Sequence, residues 1–170
     1  NVYYPCWRCI HIYIKYKKNI HLFMNVSKWG PDGWNMLHNI TTKKAKNCSF
    51  EFFETLQHIL PCIYCRISYA EYFKSMPYDE KDPVRWLYLI HNMVNNKLIK
   101  QCIKKTKNPS YSESKARIAS LEESKCIGDT FISCICYNFP CRHDDKDIGL
   151  KRKIYKKFFG LLKQIQGEVH

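Results

Sequence analysis

Two cysteines stand three apart in Cys62-Ile63-Tyr64-Cys65, directly after Pro61. That spacing closes a small disulfide ring, and at a helix start the positive end of the backbone dipole favours a reactive thiolate. Arg66 adds a further positive charge. The same pair also reads as half of a zinc site or as two core cysteines, and a lone CxxC does not choose among these. Zinc needs a second pair, which Cys6-Trp7-Arg8-Cys9 could supply. Thioredoxin-like chemistry expects a strand ahead of the motif. Here a helical pattern precedes it. Cys126, Cys134, Cys136 and Cys141 form a third cluster, and Cys48 and Cys102 stand alone. The run Cys134-x-Cys136-x4-Cys141-x-His143 is not a standard zinc spacing.

A second constellation is His91-Asn92-Met93-Val94-Asn95-Asn96-Lys97-Leu98. His91 and Asn95 are one helical turn apart, and Trp34 and His38 repeat that spacing in an earlier segment. Such polar residues could simply face solvent. As a set they also suit a planar cofactor, with rings against its faces and amides and imidazoles at its edges.

The elements that must position these residues are helical. Gly30-Pro31-Asp32-Gly33 marks a turn from which a helix opens at Pro31 or Asp32 and runs to about Thr42. Phe53, Leu56 and Leu60 stripe a second helix from Ser49, which Pro61 ends, and a third runs from Cys62 to about Phe73. Asp82-Pro83 starts a fourth, ending near Lys100. Ser110-Tyr111-Ser112-Glu113 is a capping box for a fifth, Tyr111 to Ser124. Residues 128–139 read as irregular or a short strand, and Ile154, Phe158, Leu161, Leu162 and Ile165 as a basic amphipathic C-terminal helix. The fold class is all-α: a four-helix bundle with an extra short helix and extensions at both ends. The divisions are residues 1–26, carrying a CxxC, a domain over 27–124, and a cysteine-rich basic segment over 125–170.

Composition sets the outer limits. The chain has 170 residues and 45% hydrophobic content, enough for a core in one domain of ordinary size. Lys and Arg number 28 against 15 acidic residues, a net charge of +13. With no nucleic-acid motif present, that surplus reads as a solvated lysine-rich face, not a nucleic-acid or membrane surface. No stretch is apolar enough to span a membrane, and no clean signal peptide is present.

Three blocks taken together resemble the Erv/ALR sulfhydryl oxidases, most closely the small versions of large DNA viruses. They are Lys28-Trp29-Gly30-Pro31-Asp32-Gly33-Trp34-Asn35-Met36-Leu37-His38, Leu60-Pro61-Cys62-Ile63-Tyr64-Cys65, and Trp86 through His91-Asn92-Met93-Val94-Asn95-Asn96-Lys97-Leu98. The resemblance covers about residues 27–120. It implies a flavin-linked thiol oxidase, with non-covalent FAD beside a redox CxxC, oxidising protein thiols and giving hydrogen peroxide from oxygen. Cys65 would be the flavin-proximal cysteine and Cys62 the one attacked by an incoming thiolate. Trp29, Gly30, Trp34, His38, Tyr69, His91, Asn92, Asn95 and Lys97 would contact FAD, with Trp86 packing nearby. A homodimer is a further family expectation. A viral source implies host cytoplasm or virion, and a cellular one an oxidising compartment such as the mitochondrial intermembrane space or ER. Tyr88 stands where many cellular members begin a structural disulfide, and Cys102 is not at the partner position. A shuttle pair would be either Cys6/Cys9 or the cluster holding Cys134/Cys136. The rival to the oxidase is a non-catalytic zinc-binding module.

Overall fold

The computed structural model describes residues 26–42, 49–120, 128–137 and 148–167, and all of its regular structure is helical. Helix α1 spans Val26–Thr42, α2 Ser49–Ile59, α3 Ile63–Ser75, α4 Pro83–Lys100 and α5 Tyr111–Ser120. Two more follow, α6 over Asp129–Tyr137 and α7 over Ile148–Gly167. The sequence thus gives the right class. Cys6, Cys9, Cys48, Cys126, Cys141 and His143 lie outside the described residues.

Local chemistry explains most of the boundaries. At α4, the Asp82 carboxylate accepts from the Arg85 amide at 2.9 Å, and Pro83 begins the helix where its missing N–H costs nothing. At α5, Ser110 and Glu113 form the expected reciprocal cap: the Ser110 amide donates to Glu113 at 2.7 Å, and the Glu113 amide donates to Ser110 Oγ at 3.3 Å. Tyr88 reaches from α4 towards the start of α5. Its hydroxyl donates to the Pro109 carbonyl at 2.9 Å and its ring lies against Tyr111, tying α4 to the start of α5. Cys102 is exposed.

Two expectations fail. Helix α1 begins at Val26 and carries Pro31 inside it. Proline there removes an N–H and crowds the carbonyl one turn back. Burial of Trp29 and Gly30, and the stacking of Trp29 on Phe131 at 5.7 Å, outweigh that cost. Residues 129–137 form a helix, not a strand or irregular chain. Their β-branched and aromatic residues disfavour a helix only weakly. A cap from far away in the sequence decides the matter: Asp32 accepts from the amides of Gly128 and Thr130, each at 2.9 Å, and of Phe131 at 3.1 Å.

That cap seats α6 on α1 at close range. A Cβ on Gly33 would lie 3.0 Å from the Phe131 ring. Gly128 takes φ +91, and a Cβ there would meet the Met36 sulfur at 2.5 Å. Glycine is required at that second position on both counts.

One core joins everything. Phe52, Phe53, Leu56 and Ile59 of α2, Leu87 and Ile90 of α4, Phe131 and Ile135 of α6, and Phe158 and Ile165 of α7 are completely buried in the same cluster. Helix α1 packs on α6, α4 and α5, while α2 packs on α7 and α3. Phe158 stacks on Phe52 with centroids 5.0 Å apart. Full burial of such a ring contributes about 1.5–3 kcal/mol. The ion pair beside it, Lys157 to Glu51 at 3.0 Å, joins exposed side chains and contributes under about 1 kcal/mol. The helices of the C-terminal segment are therefore part of the bundle's interior.

Candidate functional site

Cys62 is the N-cap of α3, in extended backbone, and its sulfur accepts from the Cys65 amide at 3.4 Å. Pro61 ends the preceding stretch and leaves Cys62 at the one place where a side chain meets the helix's unpaired amides. Both cysteines are thiols, half-buried at the surface of the bundle. Burial pushes the Cys65 thiol up to about 12, helped by the hydrogen bond and charge of Cys62, while Lys97 and Arg66 pull it down. The general expectation of a lowered thiol pKa at this motif thus does not describe Cys65, the third residue of the helix, where burial outweighs the nearby positive charges. Of the two sulfurs, Cys62 is the one that receives the helix amide.

Lys97 connects this pair to the second constellation. Its ammonium donates to Ser68 Oγ on α3, one turn beyond Cys65. It sits on α4, the helix that carries His91 and the buried Asn95. Arg66 does not reach out to solvent with its charge; its guanidinium donates to the Leu60 carbonyl at 2.7 Å and braces the turn before the motif.

At the other end of that stretch of α4, His91 lies flat on Trp34, with ring centroids 3.9 Å apart and planes 6° from parallel. His38 Nε2 and His91 Nδ1 share a hydrogen bond at 3.1 Å. The remaining nitrogen of His38, Nδ1, is buried with no protein partner. Burial lowers the His38 pKa to about 4, with Arg117 adding to the effect. His91 falls to about 3 through burial, then the charges of His38, Lys104 and Arg117. Both rings are neutral at pH 7, so each offers one donor and one acceptor nitrogen.

Lys104 and Arg117 are residues that sequence reasoning missed. Arg117 donates to Asn35 Oδ1 at 3.3 Å, and the Lys104 pKa is lowered by burial and then by Arg117. The charges of both act on His91, and that of Arg117 on His38 as well. Nothing local in the sequence distinguishes them from the other lysines and arginines; Arg117 comes in with the packing of α5 against α1 and α4, and Lys104 with the turn that closes α4, where its amide donates to the Leu98 carbonyl.

The structure brings Trp34 and His38 of α1 against His91 of α4; further along α4, Asn95 is buried and Lys97 reaches Ser68 of α3, the helix that carries Cys65. Three other sequence candidates have other partners. Trp29 is buried against Phe131, with its indole nitrogen unpartnered. The Tyr69 hydroxyl donates to the Phe53 carbonyl at 2.9 Å and so pins α3 to α2. A Cβ on Gly30 would touch only Val26, at 3.6 Å, an ordinary contact. Trp86 is buried, its indole donating to the Met76 carbonyl at 3.0 Å.

The suggested C-terminal pair takes an unexpected form. Cys134 and Cys136 lie on one helix, two positions and about 200° apart around its axis. Cys134 is fully buried, and burial followed by the charge of Asp32 pushes its thiol up to about 12. While α6 stands, these two sulfurs point too far apart to bond with each other.

The helical bundle, the CxxC at a helix start and the aromatic–imidazole pair define a class. The Erv1 / Alr family profile matches residues 31–117, and the chain belongs to that family. Among curated proteins, it is similar to a probable FAD-linked sulfhydryl oxidase of Acanthamoeba polyphaga mimivirus, at 31% identity over 85 residues, covering 42% of this chain and 59% of that one. The chain thus spans about three-fifths of that relative's length. No solved structure matches it. No described helix is long and apolar enough to cross a membrane.

Proposed function

We propose that the chain is an FAD-dependent thiol oxidase that forms disulfides in protein substrates and gives the electrons to oxygen. The observation that carries this is Lys97. On the helix of His91 and Asn95, it reaches α3 one turn past Cys65, so one helix links the cysteine pair to the stacked rings of Trp34 and His91. The residues fit a flavin dinucleotide. His38 Nδ1 is a buried polar atom in want of a partner, Trp34 and His91 offer flat faces, and Lys104 and Arg117 supply positive charge for a pyrophosphate.

In this reading Trp34, His38, His91, Asn92, Asn95 and Lys97 hold the cofactor, with Trp29 as support behind α1. When bound, FAD takes the electron pair of the dithiol and passes it to oxygen, yielding hydrogen peroxide. The protein's own part is disulfide exchange. A substrate thiolate attacks Cys62 of the oxidised pair, a mixed disulfide forms, and Cys65 leaves as a thiolate beside Lys97 and Arg66. A second substrate thiolate then attacks the substrate sulfur and releases Cys62. One substrate disulfide has formed, and the protein holds two reduced cysteines. Burial disfavours the charged form of Cys65, so this thiolate is short-lived.

A homodimer and a viral setting, in host cytoplasm or virion, complete the reading. The first test is the visible absorption of the purified, undialysed protein, followed by dithiol-dependent oxygen uptake. A flavin band is expected, with turnover abolished and flavin retained in Cys65→Ser. A colourless folded protein carrying stoichiometric zinc would overturn the proposal in favour of a metal-binding module.

A further inference from the structure

The outward side of α3 is apolar at its start. Ile63 is 53% exposed, Tyr64 75% and Ile67 52%. Ile63 and Ile67 are one turn apart, and Tyr64 is three residues before Ile67, so the three share one patch. It begins at the residue after Cys62, the sulfur open to attack. Scattered exposed apolar residues need no explanation, but a contiguous patch does. Helix formation does not ask for it, since isoleucine and tyrosine are poorer helix formers than lysine or glutamate. Nor does the bundle, which takes Ser68 and Tyr69 from the same helix as its buried contacts.

Charge sharpens the choice of occupant. The first turn of α3 holds no acidic residue, and the two nearest cations are turned away, Arg66 onto the Leu60 carbonyl and Lys97 onto Ser68. A partner arriving at Cys62 therefore meets side chains that reward apolar contact.

We propose that Ile63, Tyr64 and Ile67 form a docking rim for polypeptide substrates in which aliphatic or aromatic residues flank the cysteine to be oxidised. This rests on the thiol-oxidase reading and names its substrate class. The substrate thiolate bonds to Cys62 Sγ as the Cys62–Cys65 bond breaks, while the flanking side chains lie on the rim. A small dithiol makes the same bond without the contact.

The test uses the flavin-loaded full chain and oxygen uptake with three substrates: dithiothreitol, a CxxC peptide flanked by Leu and Phe, and the same peptide flanked by Ser and Gly. The apolar peptide is expected to show a KM about tenfold below the polar one, as the burial of one or two such side chains gives. Ile67→Ser, which leaves the CxxC sequence intact, should close most of that gap while kcat and dithiothreitol turnover hold. Tyr64→Ser serves as the second variant. Equal KM values for the two peptides, or a gap that survives both variants, overturn the rim while leaving the oxidase. Absence of turnover with all three substrates removes the oxidase reading, and the rim with it.

Discussion

Replacing Asp32 tests how far the C-terminal helices belong to the bundle. Its carboxylate accepts three amides at the start of α6, from Gly128, Thr130 and Phe131. Asp32→Ala leaves those donors without a protein partner, although Thr130 is exposed and water can reach its amide. Loss of a helix cap costs about 1 kcal/mol, and hydrogen bonds to a charged acceptor roughly 1.5–3 kcal/mol. Two of the three amides belong to residues packed inward, at Gly128 and Phe131, so the total lies near 2–3 kcal/mol. For a chain of this length, each kcal/mol moves the Tm by about 2–4 °C. Asp32→Ala should therefore melt roughly 5–10 °C below wild type, and Asp32→Asn, which keeps an uncharged acceptor, about half as far below. Urea unfolding followed by circular dichroism and by tryptophan fluorescence supplies the second readout. Trp29 stacks on Phe131, so both probes should report one shared transition with an unchanged slope. A stability loss under about 0.5 kcal/mol, or separate transitions for the two probes, would refute the reasoning.

Two further outcomes follow from single side chains. The His38 pKa sits near 4 against an ordinary 6.5, so the unfolded chain takes up a proton that the folded chain refuses. Stability is then fully present above pH 6.5 and falls as the pH drops towards 4, by about 3 kcal/mol from His38; urea midpoints at pH 7 and 4.5 should show the loss, and His38→Gln should reduce it without abolishing it, because buried His91, lowered to about 3, acts in the same direction. Tyr69→Phe removes the hydroxyl that donates to Phe53 and should lower stability by about 1 kcal/mol while leaving flavin absorbance unchanged, since that hydroxyl is committed to α2; bleaching of the flavin would show instead that Tyr69 reaches the cofactor.

The sequence was most legible where structure follows from local spacing: the helix start at Cys62-x-x-Cys65 and the helix carrying His91 and Asn95 are both where their patterns put them. The cap at Asp82 and the box at Ser110 and Glu113 were legible for the same reason. The illegible parts depend on residues distant in the chain. Helix α6 owes its start to Asp32, and Pro31 survives inside α1 because Trp29 has Phe131 to lie on. Arg117 becomes notable only after α5 is folded onto α1 and α4. Tyr69 lies one turn from Cys65 in sequence, and its partner was illegible there: the hydroxyl donates to the Phe53 carbonyl of α2 and the ring is buried.

The interdigitation of α7 with α2 also sets an order of events during synthesis. Phe52 leaves the ribosome long before Phe158, the ring that covers it. Until then, α2 has an apolar face with nothing on it, and Cys62 and Cys65 are already outside. The nascent chain thus displays thiols and an unfinished core together, an aggregation and mispairing hazard during translation. A chaperone that shields α2, or a reducing environment that keeps those thiols apart, would matter most in that interval. The complete bundle arrives only after translation has passed α7.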